Sequence, residues 1–230
     1  MKTLKIKLAG PLQSYGVQAS FNERTTQAYP TKSAILGMIG AALGYRRDDE
    51  RNKKLNNLDF AVRIDQPGVI TTDFQNVEYA PSKRKVTHRQ YIQDAVFLVA
   101  IASEDDELIE KIRYALYHPI FQLFLGRRAN TIAGYLETEI KDSNPISVLQ
   151  NASWAASNWY QIKRRYEKTI NLPIYADSKL LKDKQIDLAK DKIKTFNQLH
   201  RAHLYRPISQ IKTEVENLKY EPAPDWFNAI

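Results

Sequence analysis

Gly126-Arg127-Arg128 is the sharpest chemical signal in this chain of 230 residues. A glycine lets two backbones approach closely, and paired guanidinium groups make bidentate contacts to phosphate or stack on bases. A second basic group, Lys83-Arg84-Lys85 followed by His88, Arg89 and Tyr91, lies in a stretch free of acids from Tyr79 to Gln93. Carried on a hairpin, it would lie along a sugar–phosphate backbone. The loop Gly10-Pro11-Leu12-Gln13-Ser14-Tyr15-Gly16 offers N–H groups, an amide, a hydroxyl and an aromatic face, which suit such a backbone with one stacked base. Thr31-Lys32-Ser33, at a helix start, would bind phosphate through the helix dipole, free N–H groups and the lysine. Each motif also has a plainer reading as a turn, a helix start, a solvated charge run or a structural ion pair. The candidate RNA contacts are therefore Gln13, Ser14, Tyr15, Lys32, Ser33, Lys83, Arg84, Lys85, His88, Arg89, Tyr91, Arg127 and Arg128.

Composition removes several other chemistries. The chain has no cysteine, which excludes disulfides, thiolate catalysis and cysteine-held zinc or iron–sulfur centres. His200 and His203 are three apart with no acid within a turn, and His88 and His118 stand alone, so no metal ligand set is expected. No glycine-rich run precedes Lys32, and Gly37, Gly40 and Gly44 fall inside a helical stretch, so neither nucleotide loop is present and no cofactor is expected. No Gly-x-Ser-x-Gly elbow or pair of carboxylates stands out, so no catalytic residue is assigned. The rival to a binding role is a metal-independent endoribonuclease built from Tyr15 or Tyr45 with Lys32 and His88. Net charge is +8, from 34 basic and 26 acidic residues. Five acids fall within residues 103–117, so the positive excess elsewhere is larger still, as a polyanion-binding surface requires. The N-terminus alternates lysine with apolar residues instead of carrying an unbroken apolar segment, and no stretch is long enough to span a bilayer. A cytoplasmic protein without a membrane partner is expected.

The elements that must position these groups follow from periodicity. Leu4, Ile6 and Leu8 alternate with Lys5 and Lys7, which predicts a strand over 2–8. Residues 34–44 predict a helix ending at Gly44, with small residues giving a flat packing face. Strands are predicted over 58–64 and 96–101, with a long, poorly hydrophobic hairpin or loop over 69–92 between them. Ser103 with Asp106 predicts a capping box opening a helix whose apolar stripe is Leu108, Ile109, Ile112, Ala115 and Leu116. A last strand is expected near Tyr135 to Ile140. Residues 172–194 read as lysine-rich and polar, Leu204 to Val215 as strand-like, and the tail holds Trp226-Phe227. The order approximates βαββαβ, the order of an α+β, ferredoxin-like RNA-recognition domain.

Four blocks in order resemble the CasD family of type I-E Cascade subunits, within the RAMP superfamily. They are Leu8 to Gly16, Pro30 to Gly44, Asp73-Phe74-Gln75-Asn76-Val77 with Thr87 to Phe97, and Pro119-Ile120-Phe121 with Leu125 to Arg128. The chain departs from the family pattern at Gln75, where histidine is common, and at Ala129-Asn130-Thr131, where Ser-Cys-Pro often stands. The resemblance implies a non-catalytic subunit holding the 5′ handle of a crRNA and contacting the backbone subunit CasC and the large subunit CasA. It also implies a ferredoxin-like RAMP domain over residues 1–143, with a thumb hairpin at about 69–93, and a smaller, β-rich C-terminal region over 144–230.

Overall fold

A computed structural model of the protein describes residues 1–16, 22–197 and 199–223; the Trp226-Phe227 tail lies outside the described residues. The chain begins with β1 (Lys2–Ala9), the short β2 (Leu12–Gln13) and β3 (Glu23–Arg24), then α1 (Lys32–Ala42) and α2 (Arg51–Lys54). Next come β4 (Asp59–Gln66), β5 (Val69–Ala80), β6 (Lys83–Gln93) and β7 (Val96–Ser103), followed by α3 (Asp106–Tyr117) and β8 (Thr138–Lys141). The remainder comprises α4 (Pro145–Gln150), α5 (Asn158–Lys163), β9 (Thr169–Asp177), β10 (Ile186–Thr195) and β11 (Ala202–Glu216).

Seven strands form one antiparallel sheet in the order β10-β11-β9-β4-β7-β1-β8. The near-continuous apolar run of β7 is explained by burial on both faces. Phe97, Val99 and Ile101 join Leu4, Ile6 and Leu8 of β1 under α1 and α3, while Leu98 and Ala100 pack on the other face against Ile146 and Leu149 of α4. Alternation along a strand sends successive side chains to opposite faces, so one sheet serves two cores. The long α3 presents Ile109, Ile112, Ala115 and Leu116 to the first core, as its stripe predicts. Its cap differs from expectation: Asp105, not Ser103, accepts from the Leu108 N–H, while the Ser103 hydroxyl accepts from the Asp105 N–H. Ser103 is still the last residue of β7, so the helix starts later than the motif implies.

The segments read from sequence as polar or merely strand-like become β9, β10 and β11. These extend the first sheet through the pairing of Ala61, Val62 and Arg63 with Ala176, Tyr175 and Ile174. Two buried ion networks brace the sheet, and the first secures this extension. In one, Asp177 accepts from Lys32 Nζ (3.0 Å), the Phe60 N–H (2.9 Å) and Arg206 (2.6 Å). Asp191 accepts from Arg206 twice at 2.9 Å and from the backbone N–H of Lys32 at 2.8 Å. In the other, Arg63 forks onto Asp65 and donates to the carbonyls of Leu149, Ala152 and Ser153. Burial depresses the Lys32 ammonium's hold on its proton, with Asp177 opposing. Arg206, also buried, is held above its usual range by its bonds to Asp191 and Asp177. Among the described residues no helix is long and apolar enough to cross a membrane.

Removing one partner of such a network strands the others away from water. Asp177→Ala is expected to lower the unfolding free energy by about 3–5 kcal/mol in urea denaturation. Glu139→Ala, which removes the surface pairing with Lys5 and Lys141, should cost under about 1 kcal/mol. Equal losses would show that the buried network does not hold the sheet extension in place.

Candidate nucleic-acid interface

β5 and β6 form a long antiparallel ribbon closed by Pro81-Ser82, with Ser82 at positive φ. β2 pairs with the base of β6 and β3 runs parallel to its middle, making a second, four-stranded sheet. Anchoring reaches the middle of β6 and stops there: Ile92, Tyr91 and Thr87 are buried, while Phe74 (70% exposed), Tyr79 and Val86 face outward. Direct register partners share a face. Thr71 with Tyr91, Asp73 with Arg89 and Gln75 with Thr87 therefore lie on one side, and Phe74 with His88 and Glu78 with Arg84 on the other.

The Gly10–Gly16 loop uses its polar groups inside the protein. Gln13 is fully buried; its amide donates to the Ala95 carbonyl (2.7 Å), and its side-chain oxygen accepts from the Tyr15 hydroxyl (2.6 Å). The Tyr15 ring meets Phe97 edge-on, and burial pushes its phenol pKa well up. The Ser14 N–H donates to the Leu125 carbonyl (3.1 Å), and its hydroxyl donates to the Gln90 carbonyl (3.1 Å). Gly126 then passes against this loop at φ +86°, where a Cβ would stand 1.6 Å from the Ser14 carbonyl oxygen. No other residue fits there. Asn130 closes the turn, donating to the Arg127 and Leu125 carbonyls from its backbone and side chain. Two blocks far apart in sequence are thus one unit.

This unit divides the paired arginines. Arg127 lies 4.5 Å over the ring of Tyr91 and donates to the Arg24 carbonyl (3.0 Å), tying the turn to both β6 and β3. Arg24 is the register partner of Arg89, so Arg24, Arg89 and Arg127 adjoin. Arg127 Nη1 and Arg89 Nε are buried without a hydrogen-bond partner, and no carboxylate pairs with any of the three among the described residues. Arg128 points to solvent, as do Lys83, Arg84, Lys85 and His88 on the hairpin; Arg84 makes a loose exposed pair with Glu78. Lys32 and Ser33 are placed apart from this surface and buried, and the α1 N-terminus is already occupied by the carboxylate of Asp191. Tyr45 carries Arg51 over its ring at 4.2 Å, so Tyr15, Tyr45, Lys32 and His88 each sit in different surroundings.

Sequence reading missed Arg24, Asn130 and Asp191. Arg24 stands in a two-residue strand whose parallel pairing leaves no periodic trace, and Asp191 acts on a helix start far away in the chain. Asn130 sits at a departure from the family pattern, and that departure was the available signal.

The family described as CRISPR-associated protein (Cas_Cas5) matches residues 3–204. The chain is 30% identical over 146 residues to the CRISPR system Cascade subunit CasD of Escherichia coli (strain K12), a match covering 55% of this chain and 65% of that relative, just under two thirds of its length. A chain of a solved CRISPR RNA-guided surveillance complex is similar at a TM-score of 0.74 and 28% identity, covering 98% of this chain and 96% of the other. The crystal structure of a Cas protein shares the fold at a TM-score of 0.67 and 24% identity, covering 96% and 99%.

The two arginines should separate experimentally. Arg127→Ala removes the stacking on Tyr91 and the bond to Arg24, and is expected to lower stability by about 1–2 kcal/mol, seen as a lower Tm. Arg128→Ala should leave Tm unchanged. A drop in Tm for both, or for neither, would contradict this division.

Proposed function

The chain belongs to the CRISPR-associated Cas5 family, and on that premise we propose that it is a CasD-like subunit of a type I-E Cascade surveillance complex that holds the 5′ handle of the guide crRNA. The observation that carries this reading is the unit formed by β6, β3 and the Gly126 turn. There Arg24, Arg89 and Arg127 converge, none of them in an ion pair among the described residues, and two guanidinium N–H groups lack partners. Arg128, next in the chain to Arg127, and His88, next to Arg89, face solvent there, where phosphate oxygens of a bound strand can reach them.

The proposed contacts are Arg89, Arg127 and Arg128 at the base, with Lys83, Arg84, Lys85 and His88 along the β5–β6 hairpin acting as a thumb. Tyr91 supports Arg127 from below. Gln13, Ser14 and Tyr15 shape the turn on which these groups stand, and Lys32 and Ser33 fix α1. The order β4-β7-β1-β8, with α1 and α3 packed on one face, supports a ferredoxin-like RAMP unit over residues 1–143. The proposed smaller region, residues 144–230, contributes β9, β10 and β11, which extend the sheet. CasC and CasA are the proposed neighbours, the exposed Phe74, Tyr79 and Val86 of the hairpin offering apolar surface to one of them. The proposed role is non-catalytic and cytoplasmic.

Co-expression with the genomic neighbours, followed by sequencing of bound RNA, should recover discrete guides with one common 5′ end. A complex that assembles without RNA would refute the reading. Incubated with repeat RNA and EDTA, the protein should leave the RNA intact; cutting abolished by His88→Ala would instead establish the endoribonuclease.

The hairpin beyond its base has almost no core of its own, and a two-stranded ribbon alone is marginal in water. Its amides from Val77 to Val86 should exchange rapidly in the free chain and become protected on assembly with guide RNA. Protection already present in the RNA-free chain would count against a role completed by partners.

A further inference from the structure

The lysine-rich stretch that sequence reading left without a role becomes β10, the outer strand of the seven-stranded sheet. Asp191 and Ile193 are buried and Lys190, Lys192 and Lys194 exposed, on a stretch whose pairing with β11 shifts register between Ala189 and Lys192 and between Ile193 and Thr195. None of the three forms an ion pair among the described residues. The Lys190 ammonium stands 5.7 Å from the ring of Tyr205, which is 62% exposed.

At the turn between β10 and β11, Arg201 reaches solvent but is partly enclosed by protein. That desolvation, together with the like charge of Arg47 from the connection after α1, weakens its hold on its proton. Neither arginine has a carboxylate partner among the described residues, and Asp48 beside Arg47 forms no ion pair. His203, the register partner of Ile193, has a buried Nε2 with no hydrogen-bond partner and meets Phe196 edge-on at 6.2 Å. Asp191, the nearest inward acid, is committed to Arg206 and the start of α1.

A merely solvated lysine face gives no reason to set an exposed aromatic ring 5.7 Å from a lysine ammonium. Cations in a row beside an exposed aromatic are what a phosphodiester backbone with stackable bases requires. We infer that the β10–β11 hairpin is a second nucleic-acid-binding surface that takes the phosphodiester backbone of a strand other than the one held at the β5–β6 hairpin. The two surfaces lie on different sheets; that the strand is a different one rests on the guide-binding reading, whereas binding at β10–β11 does not.

The test uses the full chain, a labelled random-sequence duplex DNA and a labelled oligo(dT), with guide RNA retention followed separately by co-purification. The variant Lys190→Ala/Lys192→Ala/Lys194→Ala changes only exposed side chains. It is expected to weaken binding of at least one probe roughly tenfold. The salt slope should fall by about 0.9 per lost contact on duplex or about 0.7 on the single strand, with guide RNA retained. Loss on the duplex alone identifies a duplex ligand, and loss on oligo(dT) alone a single strand. Wild-type affinity and slope for both probes would overturn the inference. So would loss of guide RNA together with the probes, since the two surfaces would then be one. A companion variant, Lys83→Ala/Arg84→Ala/Arg128→Ala, is expected to lose guide RNA; retention there would sink the guide-binding reading and leave this one standing.

Discussion

Asp177 and Asp191 carry two negative charges into a space nearly closed to water, between α1, β4 and the last three strands. Desolvating an ion costs several kcal/mol even after relaxation, and the penalty is offset only when its lone pairs are filled in good geometry. Here they are filled, by one lysine, one arginine and two backbone N–H groups, and the four charges sum to zero. The network has a consequence for the whole chain. α1 cannot slide, and β9, β10 and β11 cannot peel away, without stranding a charge. The Arg206 guanidinium also sits over the Phe60 ring at 5.4 Å, so the network is sealed by the main core.

The second buried pair does the same for the opposite face. Arg63 and Asp65 are two apart on β4 and point into the layer where α4 and the loop after it must lie. Their remaining hydrogen-bonding capacity is filled by the carbonyls of Leu149, Ala152 and Ser153, the Ala155 N–H and, through the Asp65 carbonyl, the Trp154 indole. An irregular segment is held in one conformation by charged groups that would otherwise be unsatisfied. Both sheet faces are thereby covered, and the exposed chemistry is driven to the hairpins.

The two hairpins are built on opposite logics. β5–β6 has an anchored base and a bare tip, so its local stability falls along its length while its cations remain near the fixed Gly126 turn. β10–β11 is anchored along its inner side by Asp191, Ile193 and Arg206, with its lysines outward on a firm strand. A compliant element can close over a ligand that orders it, whereas an edge strand held from its inner side presents its charges outward.

Much of this was legible in the sequence because the relevant physics is local. Period-two alternation marks β1 and β4, a continuous apolar run marks β7, and the apolar stripe marks α3. Gly44 ends α1 by taking the left-handed conformation expected of it, at φ +78°. The Gly-Arg-Arg and Lys-Arg-Lys groups were visible as charge beside a glycine or a turn. What sequence could not assign was the partner of each polar group. Lys32, Ser33, Gln13 and Tyr15 have types suited to a ligand, and the fold buries them against Asp177, Thr31, Ala95 and Phe97. Arg127 and Arg128 are indistinguishable as neighbours in a string, yet Tyr91 and Arg24 claim only the first. Side-chain type and spacing determine which elements form and which groups are able to bind. Whether such a group faces solvent or an internal partner depends on contacts between distant segments, and only the closing of the two sheets brings those together.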